Sequence, residues 1–189
     1  MTRPEFKRPP EEIDMAAEEW AIRRDTSIAL ALTLGAFFGA YRYLPEFLEL
    51  PEETAEALAM AALAWAVPAF VLMVAILMVS TGRRFSAADI GGQAAGPPSE
   101  KLAVKAAFLQ NTLEQAVIAA GFFFALAAVA GGAWLALLPV SAAFFLVGMA
   151  LFYLGYERGA KGRSLGMSLT MLPSFVGYLV VAWLFLSGA

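Results

Sequence analysis

The fold is decided by an uncharged stretch, residues 115–156, which reads QAVIAAGFFFALAAVAGGAWLALLPVSAAFFLVGMALFYLGY. About 20 residues of α-helix cross a hydrocarbon core that is about 30 Å thick. This stretch is therefore too long for a single span. Gly131 and Gly132 interrupt it near the middle, and adjacent glycines are typical of a turn. We predict two membrane-spanning helices that meet at this turn.

Three further apolar segments flank this stretch, so the sequence predicts an all-α transmembrane helix bundle. The five predicted spans cover residues 27–44, 57–80, 102–130, 133–156 and 165–186. The chain is 60% hydrophobic and 15% charged, against about 45–50% and about 25% in soluble domains. Pro68 and Pro173 lie inside the second and the fifth span, and we expect both helices to continue through the proline because neighbouring helices can satisfy the freed carbonyl groups.

A charged extension, residues 1–25, precedes the first span. It places Ile13, Ala16, Ala17 and Trp20 on one helical stripe, which is compatible either with a helix lying along the membrane surface or with a solvated helical extension. We expect residues 25–27, Asp-Thr-Ser, to cap the helix that follows. Within that span, Gly35 and Gly39 form a GxxxG pattern, which is weak evidence of close helix packing.

The positive charges predict the orientation, because Lys and Arg in short loops stay on the cytoplasmic side. With the N-terminus inside, all but Arg42 of the 13 Lys and Arg residues fall on that side. The opposite side receives the acidic turn between the first two spans and the Gly131-Gly132 turn. We therefore expect a protein of a bacterial inner (plasma) membrane, with a cytoplasmic N-terminus and its C-terminus on the opposite side.

The composition also excludes several kinds of chemistry. The chain contains no Cys and no His, so thiol nucleophiles, Ser-His-Asp triads and the common zinc sites are absent. We predict no metal site. The net charge of −3 gives no reason to expect a nucleic-acid partner.

One polar cluster stands out, in the third span. It comprises Gln110, Asn111, Glu114 and Gln115 within the sequence Phe108-Leu-Gln-Asn-Thr-Leu-Glu-Gln115. A carboxylate inside the membrane costs several kcal/mol unless it is paired, so Glu114 is expected to face the bundle interior or a wet cavity and to meet a cation. Arg158, Lys161 and Arg163, in the connector after the fourth span, are expected at the same membrane depth as the start of the third span. The alternative is a structural polar clamp between helices, with basic residues that only determine topology.

Two motifs carry a resemblance to a known family. The sequence Asn111-Thr-Leu-Glu114, together with Gly155-Tyr156-Glu-Arg158-Gly-Ala-Lys-Gly-Arg163, resembles the membrane-associated proteins in eicosanoid and glutathione metabolism (MAPEG), which include the microsomal glutathione transferases. The resemblance covers residues 57–187 as a four-helix unit. Residues 26–44 would then be an additional transmembrane helix.

This resemblance implies a homotrimer that binds glutathione as a thiol co-substrate between neighbouring subunits, near the cytoplasmic helix ends. Asn111 and Glu114 would hold the peptide, and Tyr156 and Arg158 would help to bind it. Arg163 would be the catalytic residue, facing the thiol. A fixed guanidinium favours the thiolate, which is the attacking species. A hydrophobic small molecule would enter from the bilayer and be conjugated or reduced.

The chain departs from the family pattern just before Asn111. Ala107 stands where the family usually has an arginine that pairs with a glutathione carboxylate, and Leu109 replaces a polar residue. Lys101 and Lys105 are close enough to substitute as point charges, without the bidentate geometry of arginine. Two function classes are therefore carried forward. One is a glutathione or related thiol transferase or peroxidase, and the other is a non-catalytic scaffold or accessory subunit of a membrane complex.

Overall fold

The computed structural model describes residues 13–188, apart from the side chain of Gln93, and this part of the chain is built from long α-helices without β-strands. The helices are α1 (Met15–Tyr43), α2 (Thr54–Arg84), α3 (Glu100–Val129), α4 (Leu137–Gly155) and α5 (Ala160–Ser187). All five are long and apolar enough to cross a membrane, which confirms the predicted helical membrane bundle. Arg3, Lys7, Arg8 and the other residues of 1–12 lie outside the described residues.

Helix α1 is longer than predicted and joins part of the extension to the first span without a break. It begins after Asp14, whose carboxylate accepts hydrogen bonds from the backbone N–H groups of Ala16 and Ala17 at 3.1 Å each. The predicted cap at residues 25–27 is therefore wrong. Asp25 lies inside the helix and is buried, because its side chain finds partners on α1 and α5 instead of capping a helix end.

Helix α5 begins at Ala160, whereas the sequence predicted a polar connector up to Ser164. The connector is reduced to a 3-10 turn, Tyr156–Arg158, and Gly159. Gly159 has φ +81°, which is a backbone conformation that side-chain-bearing residues rarely adopt. As a result, Lys161 and Arg163 lie in the first turns of α5 and have helical backbone positions.

Helices α4 and α5 approach each other closely through glycines. Gly148 and Gly155 on α4 face Gly162 and Gly166 on α5, and a Cβ added at Gly155 would collide with the carbonyl group of Gly162. Small residues allow helix backbones in membranes to pack this tightly. This contact holds the beginning of α5 against the end of α4.

Helix α2 packs against α3, and α1 packs along α5. The core is rich in aromatic residues from α3 and α4, with Phe122, Phe123 and Phe145 fully buried. Pro68 and Pro173 lie within α2 and α5, and the helices continue through both as predicted. In contrast, nothing lies within 4 Å of a Cβ added at Gly35 or Gly39, so this GxxxG pattern mediates no packing within the described chain.

The predicted turn at Gly131 and Gly132 packs against the acidic turn at the same end of the bundle. The N–H of Gly132 donates a hydrogen bond to the carbonyl oxygen of Pro51 at 2.7 Å. Close by, the ring of Trp134 lies 4.5 Å from that of Tyr41 and 5.7 Å from that of Trp183, measured between centroids. These rings join α1 and α5 at the end of the bundle opposite Arg163.

Candidate functional site

The candidate site lies at the end of the bundle where α3 and α5 begin and α4 ends. Phe108 of α3 packs edge-on against Tyr153 of α4, with ring centroids 5.0 Å apart. One turn later the hydroxyl of Thr112 lies 3.4 Å from the sulfur of Met149. The inward face of α3 is therefore defined by Phe108 and Thr112.

Gln110 and Glu114 occupy the opposite face of α3, since successive residues of an α-helix are about 100° apart. Both are exposed, and Gln110 donates a hydrogen bond from Nε2 to Glu114 Oε1 at 2.7 Å. Within residues 13–188 no cation forms an ion pair with Glu114. The expected interior position of Glu114 is not found within a single chain, because the inward face of α3 is occupied by Phe108 and Thr112.

Asn111 lies between these two faces and is half-buried. Its side-chain amide donates a hydrogen bond to the carbonyl oxygen of Ala107 at 2.8 Å. The departure from the family pattern at Ala107 therefore lies one helical turn from Asn111 and is in contact with it. Gln115 is buried, and its Oε1 has no hydrogen-bond partner in the described chain.

Tyr156 and Arg163 are brought together by the short turn before α5. The guanidinium carbon of Arg163 lies 4.7 Å from the ring centroid of Tyr156, which is a cation–π contact. The ring of Tyr156 is in turn packed edge-on against Phe152 at 5.6 Å. Both side chains are half-buried. In the described part of the chain, the guanidinium of Arg163 forms no ion pair and so keeps its charge available.

Arg158 is separated from this pair. It is exposed, and within residues 13–188 its guanidinium donates a hydrogen bond to the carbonyl oxygen of Leu154 at 3.5 Å. Of the five residues that the sequence singled out, the structure thus brings together Tyr156 and Arg163. It leaves Glu114 on the outer surface of α3 and Arg158 exposed at the end of α4.

The two lysines that the sequence offered in place of the missing arginine differ in their surroundings. Lys101 is exposed in the first turn of α3. Lys105 is half-buried, and its side chain lies along Gly82 of α2, where an added Cβ would come within 3.4 Å of Nζ. Lys105 is therefore partly held by α2.

An acidic residue also organises the loop between α2 and α3 at this end. Asp89 accepts hydrogen bonds from the hydroxyls of Ser86 and Ser99, at 2.6 and 2.7 Å, and from the backbone N–H of Ser99 at 2.7 Å. These hydrogen bonds, with a smaller contribution from the charge of Arg83, lower the pKa of Asp89 below its ordinary value of 3.8. Ser99 also caps α3, so Asp89 anchors the helix that carries Asn111 and Glu114.

A second polar cluster, which we call the α1–α5 seam, was missed by the sequence analysis. It joins Asp25 to Ser164, Thr26 to Ser168 and Glu18 to Lys161. The sequence carries a signal for this contact, because small or polar residues recur at every fourth position of α1. In the structure these positions are the buried ones, namely Ala21, Asp25, Ala29, Thr33 and, at the end of the series, Phe37. A stripe of this kind in an apolar helix indicates a contact with another helix.

Within the described residues, a guanidinium without an ion pair thus lies over an aromatic ring at the beginning of α5, while Asn111 and Glu114 lie further along α3, with Glu114 near the middle of that helix. A cation of this kind is suited to holding an anionic group. No curated protein and no solved structure matches the chain. The model of the MAPEG family, in contrast, matches residues 58–183, from the beginning of α2 to near the end of α5. The chain therefore belongs to the MAPEG family of membrane proteins in glutathione and eicosanoid metabolism, and α1 precedes the matched segment.

Proposed function

We propose that this protein is a membrane enzyme that binds glutathione, or a related thiol, between neighbouring copies of a homotrimer and attaches it to hydrophobic electrophiles. The observation that carries the proposal is the Arg163 guanidinium, half-buried over Tyr156 and without an ion pair in the described chain. A cation held in this way is available to a thiolate. Family membership supports the choice of glutathione as the thiol.

The outward position of Glu114 supports a site between subunits. Glu114 and Gln110 lie on the outer surface of α3, which otherwise exposes apolar side chains such as Leu113 and Val117. A carboxylate facing lipid costs several kcal/mol. A second copy that covers this surface would remove the cost, and the Tyr156–Arg163 pair of that copy would supply the missing cation. The ligand would then contact Asn111 and Glu114 of one subunit and Arg163 of its neighbour.

In the proposed reaction, Arg163 acts on the sulfur of the thiol. Its positive charge stabilises the thiolate, so the thiol proton is released to water at a lower pH than in the free peptide. The thiolate then attacks an electrophilic carbon and forms a C–S bond, while the electron pair of the breaking bond leaves with the displaced group. The membrane concentrates apolar substrates beside the site. The N-terminus and the site would both lie on the cytoplasmic side, where Arg and Lys residues gather.

A glutathione titration of the detergent-solubilised protein tests this proposal through the ultraviolet absorbance of the thiolate. We expect a saturable signal in the parent protein and its loss in Arg163→Ala. Arg23→Ala is the matched control, because Arg23 is also an arginine but is exposed on α1 and pairs with Glu19. A flat titration of the parent would contradict the proposal.

A non-catalytic role is the second candidate, and the residue at position 107 favours it. Ala107 provides no charge for a glutathione carboxylate, although the helix geometry puts it in contact with Asn111. A scaffold or accessory subunit needs no such charge. This candidate predicts co-purification with a fixed partner and no thiolate signal. An altered thiol, or a lipid ligand in the same place, would instead give binding without a preference for glutathione.

A further inference from the structure

We infer that α1 is a positioning element for the site, and that Asp25 and Glu18 hold the beginning of α5 so that Arg163 stays over Tyr156. This inference rests on the proposed function for its catalytic meaning. Its structural content concerns only contacts within one chain. It assigns a role to the helix that precedes the segment matched by the family.

The first contact joins Asp25 to Ser164, the residue immediately after Arg163. The hydroxyl of Ser164 donates to Asp25 Oδ2, and Arg24 donates from Nε and Nη2 to Asp25 Oδ1 at 2.9 and 2.7 Å. Both carboxylate oxygens are therefore satisfied, and Asp25 is only 5% exposed. A buried carboxylate that already has a neighbouring guanidinium is held firmly in place. Ser164, and the backbone on which Arg163 is mounted, are held with it.

The second contact caps α5 from another helix. The N-cap residue of α5 is Gly159, which has no side chain to accept a hydrogen bond from the first turn. Glu18 of α1 takes this place. It accepts from the backbone N–H of Lys161 at 2.7 Å, and its other oxygen lies 3.6 Å from Lys161 Nζ. A carboxylate at this position satisfies a free N–H group and interacts favourably with the helix dipole.

A third contact continues the seam deeper into the bundle. The hydroxyls of Thr26 and Ser168 lie 3.1 Å apart, and Ala29 packs against Leu169 and Leu172. The first turns of α5 are thus held on one side by the glycine contact with α4 and on the other by α1. Arg163 lies between these two attachments, since its neighbours Gly162 and Ser164 belong to one attachment each. Removing the α1 side should therefore loosen this turn, although the glycine contact with α4 would remain.

Hydrogen exchange of the protein in detergent, without any ligand, tests the structural half of the inference. Asp25→Asn, Glu18→Gln and Ser164→Ala should speed exchange at residues 160–165 by about tenfold or more, because each weakens or removes a hydrogen bond to a charged carboxylate. The exchange of α2 and α3 should stay unchanged. Glu19→Gln is the matched control, since Glu19 is exposed and its carboxylate pairs with Arg23 of the same helix. Unchanged exchange at residues 160–165 in Asp25→Asn would overturn the inference.

The catalytic half is tested by the pH dependence of the thiolate signal in the same variants. Asp25→Asn should move the pKa of bound glutathione upward, toward that of the free thiol, while the glutathione concentration at half-saturation changes little. Asp25→Glu should restore part of the effect because it keeps the carboxylate. Asp25→Asn could instead destabilise the whole protein and weaken glutathione binding without changing the pKa of the bound thiol. In that case Asp25 has only a structural role, and the inference fails.

The two proposals can fail separately. If the parent protein gives no thiolate signal, the proposed enzymatic function fails. The exchange experiment still decides whether α1 holds the beginning of α5. If the parent protein gives the signal and Asp25→Asn leaves both exchange and thiol pKa as they are, the function stands and the positioning role is excluded.

Discussion

Arg163 lies over the aromatic face of Tyr156, with its guanidinium carbon 4.7 Å from the ring centroid. The two residues are separated by a turn and the start of a helix, and the positive φ of Gly159 allows the chain to bring them together. The ring keeps the guanidinium in place and leaves its positive charge intact, whereas a carboxylate would neutralise that charge. This relationship leads to the first prediction.

Replacing Tyr156 separates the role of the ring from that of the hydroxyl. Tyr156→Phe should preserve most of the thiolate signal, because the aromatic face remains. Tyr156→Ala should weaken it by a factor of about 2 to 30, the equivalent of the roughly 0.5–2 kcal/mol of a cation–π contact. The measurement is the glutathione titration with absorbance detection. Equal loss in both variants would show that the hydroxyl, and not the ring, is required.

Restoring an arginine at position 107 should strengthen glutathione binding. Ala107→Arg supplies a bidentate partner for a carboxylate, and a charge-assisted pair of this kind corresponds to about tenfold or more in affinity. Isothermal titration in detergent measures the change. Ala87→Arg is the control, because this substitution adds the same charge at another position, exposed in the loop between α2 and α3. No gain at position 107 would argue for a different ligand.

A site between subunits can be detected by cross-linking, since the chain has no cysteine of its own. We expect a mixture of Glu114→Cys and Arg163→Cys chains to form covalent dimers with a short bismaleimide. Each variant alone should give few. Leu186→Cys, at the exposed far end of α5, is the control partner for Glu114→Cys. If the mixture of Glu114→Cys and Arg163→Cys chains gives no more covalent dimer than the control mixture, Glu114 faces lipid and not a neighbouring subunit.

The glycine contact between α4 and α5 should be sensitive to a single methyl group. Gly155→Ala places a Cβ against the carbonyl of Gly162, and overpacking of this kind costs about 1–3 kcal/mol. Gly35→Ala is the matched control, because nothing lies within 4 Å of its added Cβ; it should be neutral or stabilising by about 0.5–1 kcal/mol. Thermal unfolding in detergent compares the two. If Gly155→Ala unfolds at the same temperature as the parent protein, α4 and α5 can move apart without loss of stability, and the prediction is wrong.

The loop between α2 and α3 should lose stability in acid through Asp89. Its pKa is lowered in the folded protein by hydrogen bonds from Ser86 and Ser99, so its contribution is complete above the ordinary value of 3.8 and is lost as the pH falls through the folded pKa. Asp89→Asn should therefore unfold at a lower temperature than the parent protein at neutral pH. The difference should shrink toward about pH 2. Circular dichroism follows both proteins, and a difference that does not depend on pH would exclude this origin.

The membrane-spanning helices could be predicted from the sequence because their length and apolarity are set by the bilayer, independently of how the helices pack. The turn at Gly131-Gly132 follows from the local preference of adjacent glycines for turns, and the continuation of α2 and α5 through Pro68 and Pro173 follows from the general tolerance of membrane helices for proline. The family motifs also lie in consecutive residues, so Tyr156 and Arg163 could be recognised before their contact was known. Helix ends were less predictable, since Asp25 resembles a cap but finds its partner on α5.

What only the tertiary structure decided is which groups meet. Glu114 faces outward because Phe108 and Thr112 occupy the inward face of α3. Apolar residues lie on both faces of this helix, so the hydrophobic pattern of the sequence does not show which face is buried. The α1–α5 seam likewise joins residues about 140 positions apart, such as Asp25 and Ser164. Hydrogen bonds of this kind depend on the docking of two helices, and no local pattern in either helix specifies the other.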